Sequence, residues 1–322
     1  MSSHYEELLL SDTQLKEQQA NIEEFYDKNI IKHQIKNPQG LILSAVELAK
    51  NSDDCLVIIP GRGEIAHKYA ELLYSLRNEN KRIVILFVRG QGQSSRLLPD
   101  KQRCHIDKFC YFREDISFLL KKLNIKSYKL LAFSLGSLIS LDVILNSDHP
   151  PLKAALLAPY IYPYFPLPRF ILSSLIMILG SLPFINKCYT PHGKNYKRVP
   201  FDSNYHSHSE TRFNYYHDYY ALHKNLTIGG PTWRFLREAY ICQKNILKGQ
   251  FKFKIPVMAI LSGADKVVST DIARKFFLKH LNDNKGMNLI TVDNAYHDLL
   301  NEADQYRIQS LPQALNFLDN GV

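Results

Sequence analysis

From residue 55 onward, apolar runs of about five residues alternate with longer segments whose apolar residues recur at helical spacing. Runs at 55–59, 82–88, 128–132, 153–157, 256–261 and 288–292 read as buried strands. Segments 66–76, 109–123, 135–145, 270–281 and 304–318 read as the helices between and after them. A strand that is apolar at every position must be covered on both faces, and interleaved helices supply the cover. The expected fold class is therefore α/β, a mostly parallel central sheet with helices on both faces. Ahead of it, the first 30 residues set Tyr5, Leu8, Leu9, Leu15 and Ile22 among Glu, Gln and Lys, the pattern of an amphipathic helix. Residues 33–48 read as two short strands joined by an Asn37-Pro38-Gln39-Gly40 turn.

Between 160 and 250 the alternation disappears, and Tyr, His, Pro and basic residues take over. Residues 181–250 hold 10 Lys and Arg against 4 Asp and Glu, so most of the +9 formal charge lies there. Ligands of open α/β sheets bind at the carboxyl ends of the strands, so an insertion here is expected to cover the site. The implied organisation is an N-terminal helical extension (1–30), a core (31–159 and 251–322) and a cap or lid insertion (160–250). The apolar stretch 170–185 contains Gly180 and Pro183 and falls short of the roughly 20 residues a spanning helix needs. Its default reading is a core helix of the insertion. Flanked by Arg169 and Lys187, it would also suit a wall of an apolar tunnel or a helix lying in a membrane surface.

Composition excludes more than it selects. With 45% hydrophobic and 22% charged residues the chain is an ordinary globular protein, neither disordered nor collagen-like. The positive charge favours anionic partners, whether phospholipid surfaces, nucleic acid or acidic substrates, although a basic balance is more often just a solvated face. The expected partner is an anionic membrane in peripheral contact, with no nucleic acid. Cys55, Cys104, Cys110, Cys188 and Cys242 are odd in number with no C-x-x-C spacing, so free thiols in a reducing compartment are expected. Residues 1–10 lack a basic n-region and a cleavage site, hence no signal peptide and a cytoplasmic location, with a peripheral place on the inner face of a membrane left open. His206, His208, His217 and His223 match no zinc spacing and bring no acidic ligand, so no metal is expected and they read as a solvated or membrane-facing rim. Arg89-Gly90-Gln91-Gly92 lacks the Lys-Ser/Thr of a phosphate loop and reads as a structural turn. No oligomeric state follows from any of this.

The segment Leu130-Leu131-Ala132-Phe133-Ser134-Leu135-Gly136-Ser137 places a serine between a buried strand and a helix, with small residues two before and two after. A nucleophile elbow requires that spacing, because bulk at either flank would clash with strand or helix. Ala132 stands where glycine is usual, and a serine that merely caps the helix would look similar. The N–H of Leu135 would face a developing oxyanion, and the Pro60-Gly61-Arg62-Gly63-Glu64 turn offers the N–H of Arg62 as a second donor. A serine needs a base and the base an orienting carboxylate. Asp265 and His297 each follow a late strand, in the chain order this fold uses. Asp293 and Asp298 are rival acids near His297 with a poorer topological fit.

With these residues in place, the chain resembles bacterial inner-membrane lysophospholipases, within the monoacylglycerol-lipase-like branch of the α/β-hydrolase superfamily. The resemblance covers roughly residues 50–310. It rests on Ile59-Pro60-Gly61-Arg62-Gly63-Glu64, Lys68-Tyr69-Ala70-Glu71-Leu72, Arg89-Gly90-Gln91-Gly92 with Ser94, Ala132-Phe133-Ser134-Leu135-Gly136, Ile228-Gly229-Gly230-Pro231-Thr232-Trp233 and Ala295-Tyr296-His297-Asp298-Leu299-Leu300. It implies a cofactor-free serine hydrolase that cleaves the acyl ester of a lysophospholipid or monoacylglycerol through an acyl-enzyme, with Phe133 and Trp233 as candidate substrate contacts. Phe133 and Val88 stand where members usually carry His, which points to altered acyl or headgroup preference. An acyl thioesterase or acyltransferase would use the same acyl-enzyme, and a membrane-associated binding protein is the non-enzymatic alternative.

Overall fold

The computed structural model describes residues 4–164, 168–191, 193–249, 251–281 and 286–320. The first three residues of the expected N-terminal helix, and the expected boundaries at 250 and 322, lie outside them. Eight strands form one sheet: β1 (Ile30–Lys36), β2 (Ile42–Leu48), β3 (Cys55–Ile59), β4 (Arg82–Phe87), β5 (Lys129–Phe133), β6 (Lys153–Leu157), β7 (Val257–Ser262) and β8 (Met287–Val292). Their order is β1-β2-β4-β3-β5-β6-β7-β8. Strands β3 to β8 run parallel, while β2 pairs antiparallel with both β1 and β4. The helices are α1 (His4–Leu8), α2 (Asp12–Asn29), α3 (Ala70–Ser75), α4 (Cys110–Lys122), α5 (Leu135–Asn146), α6 (Arg169–Leu179), α7 (Glu210–Leu222), α8 (Trp233–Lys248), α9 (Thr270–Leu281), α10 (Asp304–Arg307) and α11 (Leu311–Asp319).

Successive side chains of a strand point to opposite faces, and the buried residues sort accordingly. Val57, Ile59, Leu130 and Ala132 join Phe112 of α4, Leu138 of α5 and Phe277 of α9 in one apolar cluster. Leu56, Ile58, Leu131 and Phe133 join Ile22 of α2, Leu73 of α3 and Leu315 of α11 in another. Helix α8, from the 160–250 stretch, puts Phe235 and Ala239 into the first cluster. The strand order turns back on itself around β3, because β4 lies on one side of it and β5 on the other. A crevice at the carboxyl ends of β3 and β5 is the natural result.

Several expected elements are subdivided. The N-terminal helix breaks before Ser11, which caps α2 in a reciprocal capping box with Gln14. Segment 66–76 begins as a 3₁₀ turn (Ala66–Tyr69) and becomes α3. Segment 304–318 splits into α10 and α11 because Pro312, with no N–H to donate, is accommodated only in a first turn.

The stretch 170–185 departs from its default reading. Helix α6 buries only Leu172 and Ile176, and it packs against α8 on one side. Phe170 is 72% exposed, Ile178 59% and Phe184, beyond the helix end, 89%. It is not a core helix, since α8 packs on one side and leaves Phe170 and Ile178 in solvent.

Arg212 of α7 ties the 160–250 stretch to the rest of the chain. Its guanidinium, 1% exposed, reaches Glu71 of α3 at 3.0 Å, Asp12 of α2 at 2.8 Å and Asp304 of α10 at 2.9 Å. It also donates to the carbonyls of Leu10 and Glu302. Removing one partner from such a buried array typically costs about 3–5 kcal/mol, so these pairs tie α7 firmly to α2, α3 and α10.

Candidate active site

Three turns at the carboxyl edge of the sheet meet at Ser134, Asp265 and His297. The first follows β5. Ser134 has φ 51° and ψ −115°, a strained conformation that lifts its side chain off the strand axis. Its N–H donates to the Leu157 carbonyl at 2.9 Å, which holds the turn against β6. A Cβ on Gly136 would sit 2.1 Å from the Ile59 carbonyl oxygen, so α5 can approach β3 this closely only with glycine there. Ala132, the other flanking position, is fully buried in the apolar cluster of β3, and its methyl fits.

The other two turns follow β7 and β8. His297 Nδ1 donates to Asp265 Oδ2 at 2.6 Å, and Ser134 Oγ donates to His297 Nε2 at 2.8 Å. Asp265 Oδ1 in turn accepts from the backbone N–H groups of Val267 and Val268 at 2.7 and 2.9 Å. The three side chains are buried, Ser134 being 8% exposed and His297 2%. Of the rival acids, Asp298 turns away from the imidazole to Lys68, 2.7 Å from its Nζ. This geometry suits proton transfer from a hydroxyl to an oriented imidazole.

The turn after β3 faces this trio. Glu64 accepts from the Gly61 N–H at 2.6 Å, and Gln91 accepts from the Gly63 N–H at 2.8 Å. With both neighbours taken, the Arg62 N–H lies between two pinned amides. Leu135 opens α5, where an N–H has no intrahelical partner. Gln91 belongs to the Arg89-Gly90-Gln91-Gly92 turn, which is anchored by a two-pronged pair between Arg89 and Asp115 at 2.6 and 2.8 Å. That turn is structural, as expected, and it also shapes its neighbour.

Phe133 packs beside the imidazole, with ring centroids 5.1 Å apart. Trp233 begins α8, where its N–H donates to the Cys188 carbonyl, and it is not among the ring neighbours of His297. Three of the histidines expected on an outer rim, His206, His208 and His217, make contacts within the fold instead. His206 lies edge-on to His297, with centroids 6.0 Å apart, and its carbonyl accepts the Asp298 N–H at 2.7 Å. Burial, with the His297 ring and the Lys68 and Arg62 cations nearby, pushes its pKa down to about 4. His208 bonds Glu302 at 2.7 Å and stacks on Tyr296, so it braces the His297 turn. His217 bonds the Tyr196 hydroxyl, and burial lowers its pKa to about 3. Linear spacing carries no sign of these placements, because α7 and the β8 turn come together only through the fold.

A cavity of about 630 Å³ lies elsewhere, between α4, α5 and α8, and holds none of the three side chains. Among the described residues no helix is long and apolar enough to cross a membrane.

Similarity to known proteins places the chain in a family. Lysophospholipase L2 of Escherichia coli K12 is 27% identical over 280 residues, 84% of this chain and 82% of that protein. A probable lysophospholipase L2 of Haemophilus influenzae is 27% identical over 270 residues, covering 82% and 83%. The fold is that of the α/β hydrolases. A monoacylglycerol lipase of Paleococcus ferrophilus superposes with a TM-score of 0.65 at 16% identity, covering 85% of this chain and 96% of that one. A soluble variant of the Saccharomyces cerevisiae monoglyceride lipase gives 0.68 at 14% identity, covering 90% and 96%. The sequence profile described as serine aminopeptidase, S33, matches residues 50–304, and the chain belongs to that family of serine hydrolases.

Proposed function

We propose that this chain hydrolyses the acyl ester of a lysophospholipid or monoacylglycerol, with Ser134 as nucleophile, His297 as base and Asp265 as its orienting acid. The observation that carries the reading is the continuous hydrogen-bond chain from Ser134 Oγ through His297 to Asp265. Ser134 attacks the acyl carbonyl while His297 Nε2 takes its proton. The oxyanion forms between the N–H groups of Leu135 and Arg62, each such donor being worth about 10²–10³ in rate. His297 then protonates the departing glycerol oxygen. Water, deprotonated by the same imidazole, releases the fatty acid and restores the serine. No cofactor enters these steps.

The lipid reading is supported by similarity to lysophospholipases along four-fifths of the chain and by the apolar surface of α6. A panel of lysophosphatidylethanolamine, monoacylglycerol, a long-chain acyl-CoA and an aminoacyl anilide tests it. Fatty acid release from one of the two glycerol esters should exceed the other two activities by about tenfold or more, a difference of about 1.4 kcal/mol in transition-state stabilisation. Faster cleavage of the anilide or the thioester would replace this assignment.

The protein would meet such lipids at a surface. Phe170, Ile178 and Phe184 project from the α6 region into solvent, and the surrounding stretch 181–250 is strongly basic. An apolar face flanked by cations suits a helix lying in the headgroup layer of an anionic bilayer. Binding to phosphatidylglycerol vesicles should exceed binding to phosphatidylcholine vesicles and weaken with added salt. Phe184→Ser should reduce it. Equal affinity for the two vesicle types would remove the electrostatic part of the reading.

A further inference from the structure

We infer that Lys68 is a positioning residue that couples the turn carrying the Arg62 N–H to the turn carrying His297, through a buried Glu64–Lys68–Asp298 chain. The inference rests on the roles given to Ser134 and His297 above and adds a residue that touches neither. The Lys68 ammonium bonds Glu64 on one side and Asp298 Oδ2, at 2.7 Å, on the other. The second Glu64 oxygen accepts from the Gly61 N–H and from the Tyr69 hydroxyl, both at 2.6 Å. Asp298 follows His297 directly, its N–H is fixed on the His206 carbonyl, and its carboxylate also accepts from Asn301. Lys68 further lies over the ring of Phe133, 5.4 Å from the centroid, and over that of Tyr216 at 4.8 Å. One ammonium therefore contacts the β3 turn through Glu64, the elbow through Phe133 and the β8 turn through Asp298.

Burial makes this arrangement costly. Lys68 is 9% exposed, Glu64 5% and Asp298 1%. Burial opposes the charged lysine, but the Asp298 and Glu64 carboxylates outweigh it and hold the ammonium well above its ordinary range. An apolar replacement of similar shape is often as stable as a buried ion chain, so stability alone is a poor reason for one here. Direction is what apolar packing lacks. Charge-assisted bonds of fixed length between two backbone turns set where the Arg62 N–H sits relative to the imidazole. A nucleophilic reaction depends on that spacing, and an error of about 1 Å can cost about 10²-fold in rate.

The test compares kcat, KM and thermal midpoints on p-nitrophenyl butyrate for Lys68→Met, Lys68→Arg, Glu64→Gln, Asp298→Asn and the Glu64→Gln/Asp298→Asn pair. Ser134→Ala serves as the reference for the nucleophile. Lys68→Met should lower kcat about 10- to 100-fold with KM within about twofold, and Lys68→Arg should restore part of the loss. Glu64→Gln and Asp298→Asn leave Lys68 one carboxylate each, so they report even where Lys68→Met fails to fold. Each should lower kcat about tenfold, and the pair should lose little more than the worse single, because either break releases the same link. Losses that multiply in the pair, or midpoints that fall while every kcat stays within about twofold, would overturn the coupling while leaving the nucleophile intact. Retained activity in Ser134→Ala would instead remove the underlying assignment and the coupling with it.

Discussion

Ser134→Ala should reduce turnover of lysophospholipid and of p-nitrophenyl butyrate by about 10⁴-fold or more while leaving the thermal midpoint nearly unchanged. The hydroxyl makes one hydrogen bond, to His297, and the turn is held instead by backbone contacts to Leu157 and Tyr160. Losing it therefore removes the nucleophile and little else. The oxyanion donors and the binding surface stay, and they account for the residual rate such variants show. Labelling by a fluorophosphonate should vanish in parallel, since that reagent needs the same alkoxide. A variant that still labels and still turns over would place the reactive hydroxyl somewhere other than position 134.

Gly136→Ala should be the most damaging glycine-to-alanine change among the described residues. The new Cβ would lie 2.1 Å from the Ile59 oxygen, 2.6 Å from the Pro60 oxygen and 2.8 Å from the Ile59 carbonyl carbon. All three are backbone atoms, so no rotamer change relieves the clash. Either α5 or the end of β3 must move, in a core already packed to crystal density. We expect a loss of about 3 kcal/mol or more, seen as a large drop in thermal midpoint or as insoluble protein. Any folded fraction should be nearly inactive, because the same displacement separates Ser134 from the Arg62 turn. Ala132→Gly, at the other flank of the elbow, should cost only about 1 kcal/mol, since it removes one buried methyl and adds chain freedom. A Gly136→Ala protein with a wild-type midpoint would mean that α5 and β3 stand farther apart than the 2.1 Å approach to the Ile59 oxygen requires.

Much of the site could be read from local chemistry. The elbow is a five-residue pattern whose glycine answers a contact between one strand and one helix. Asp265 and His297 were legible because the carboxyl end of a parallel strand is an address in the fold, and both follow a strand. The partners of those residues were not legible. His206 looked like one member of an outer histidine cluster and lies beside His297 instead. Asp298 looked like a rival acid and serves Lys68. The stretch 170–185 looked like core and is largely exposed, since apolar periodicity says that a face must be covered without saying by what.

Sequence alone determined the alternating elements, the two-sided sheet and the chain order of serine, acid and histidine. These follow from periodicities of two and 3.6 residues and from turn chemistry, which act between near neighbours. Tertiary structure alone decided that one lysine spans the β3 and β8 turns, that Arg212 clamps α7 onto α2 and α3, and that α6 presents apolar residues to solvent. The Lys68–Asp298 and Arg212 contacts join residues far apart in the chain, and the fold, not spacing, brings them together.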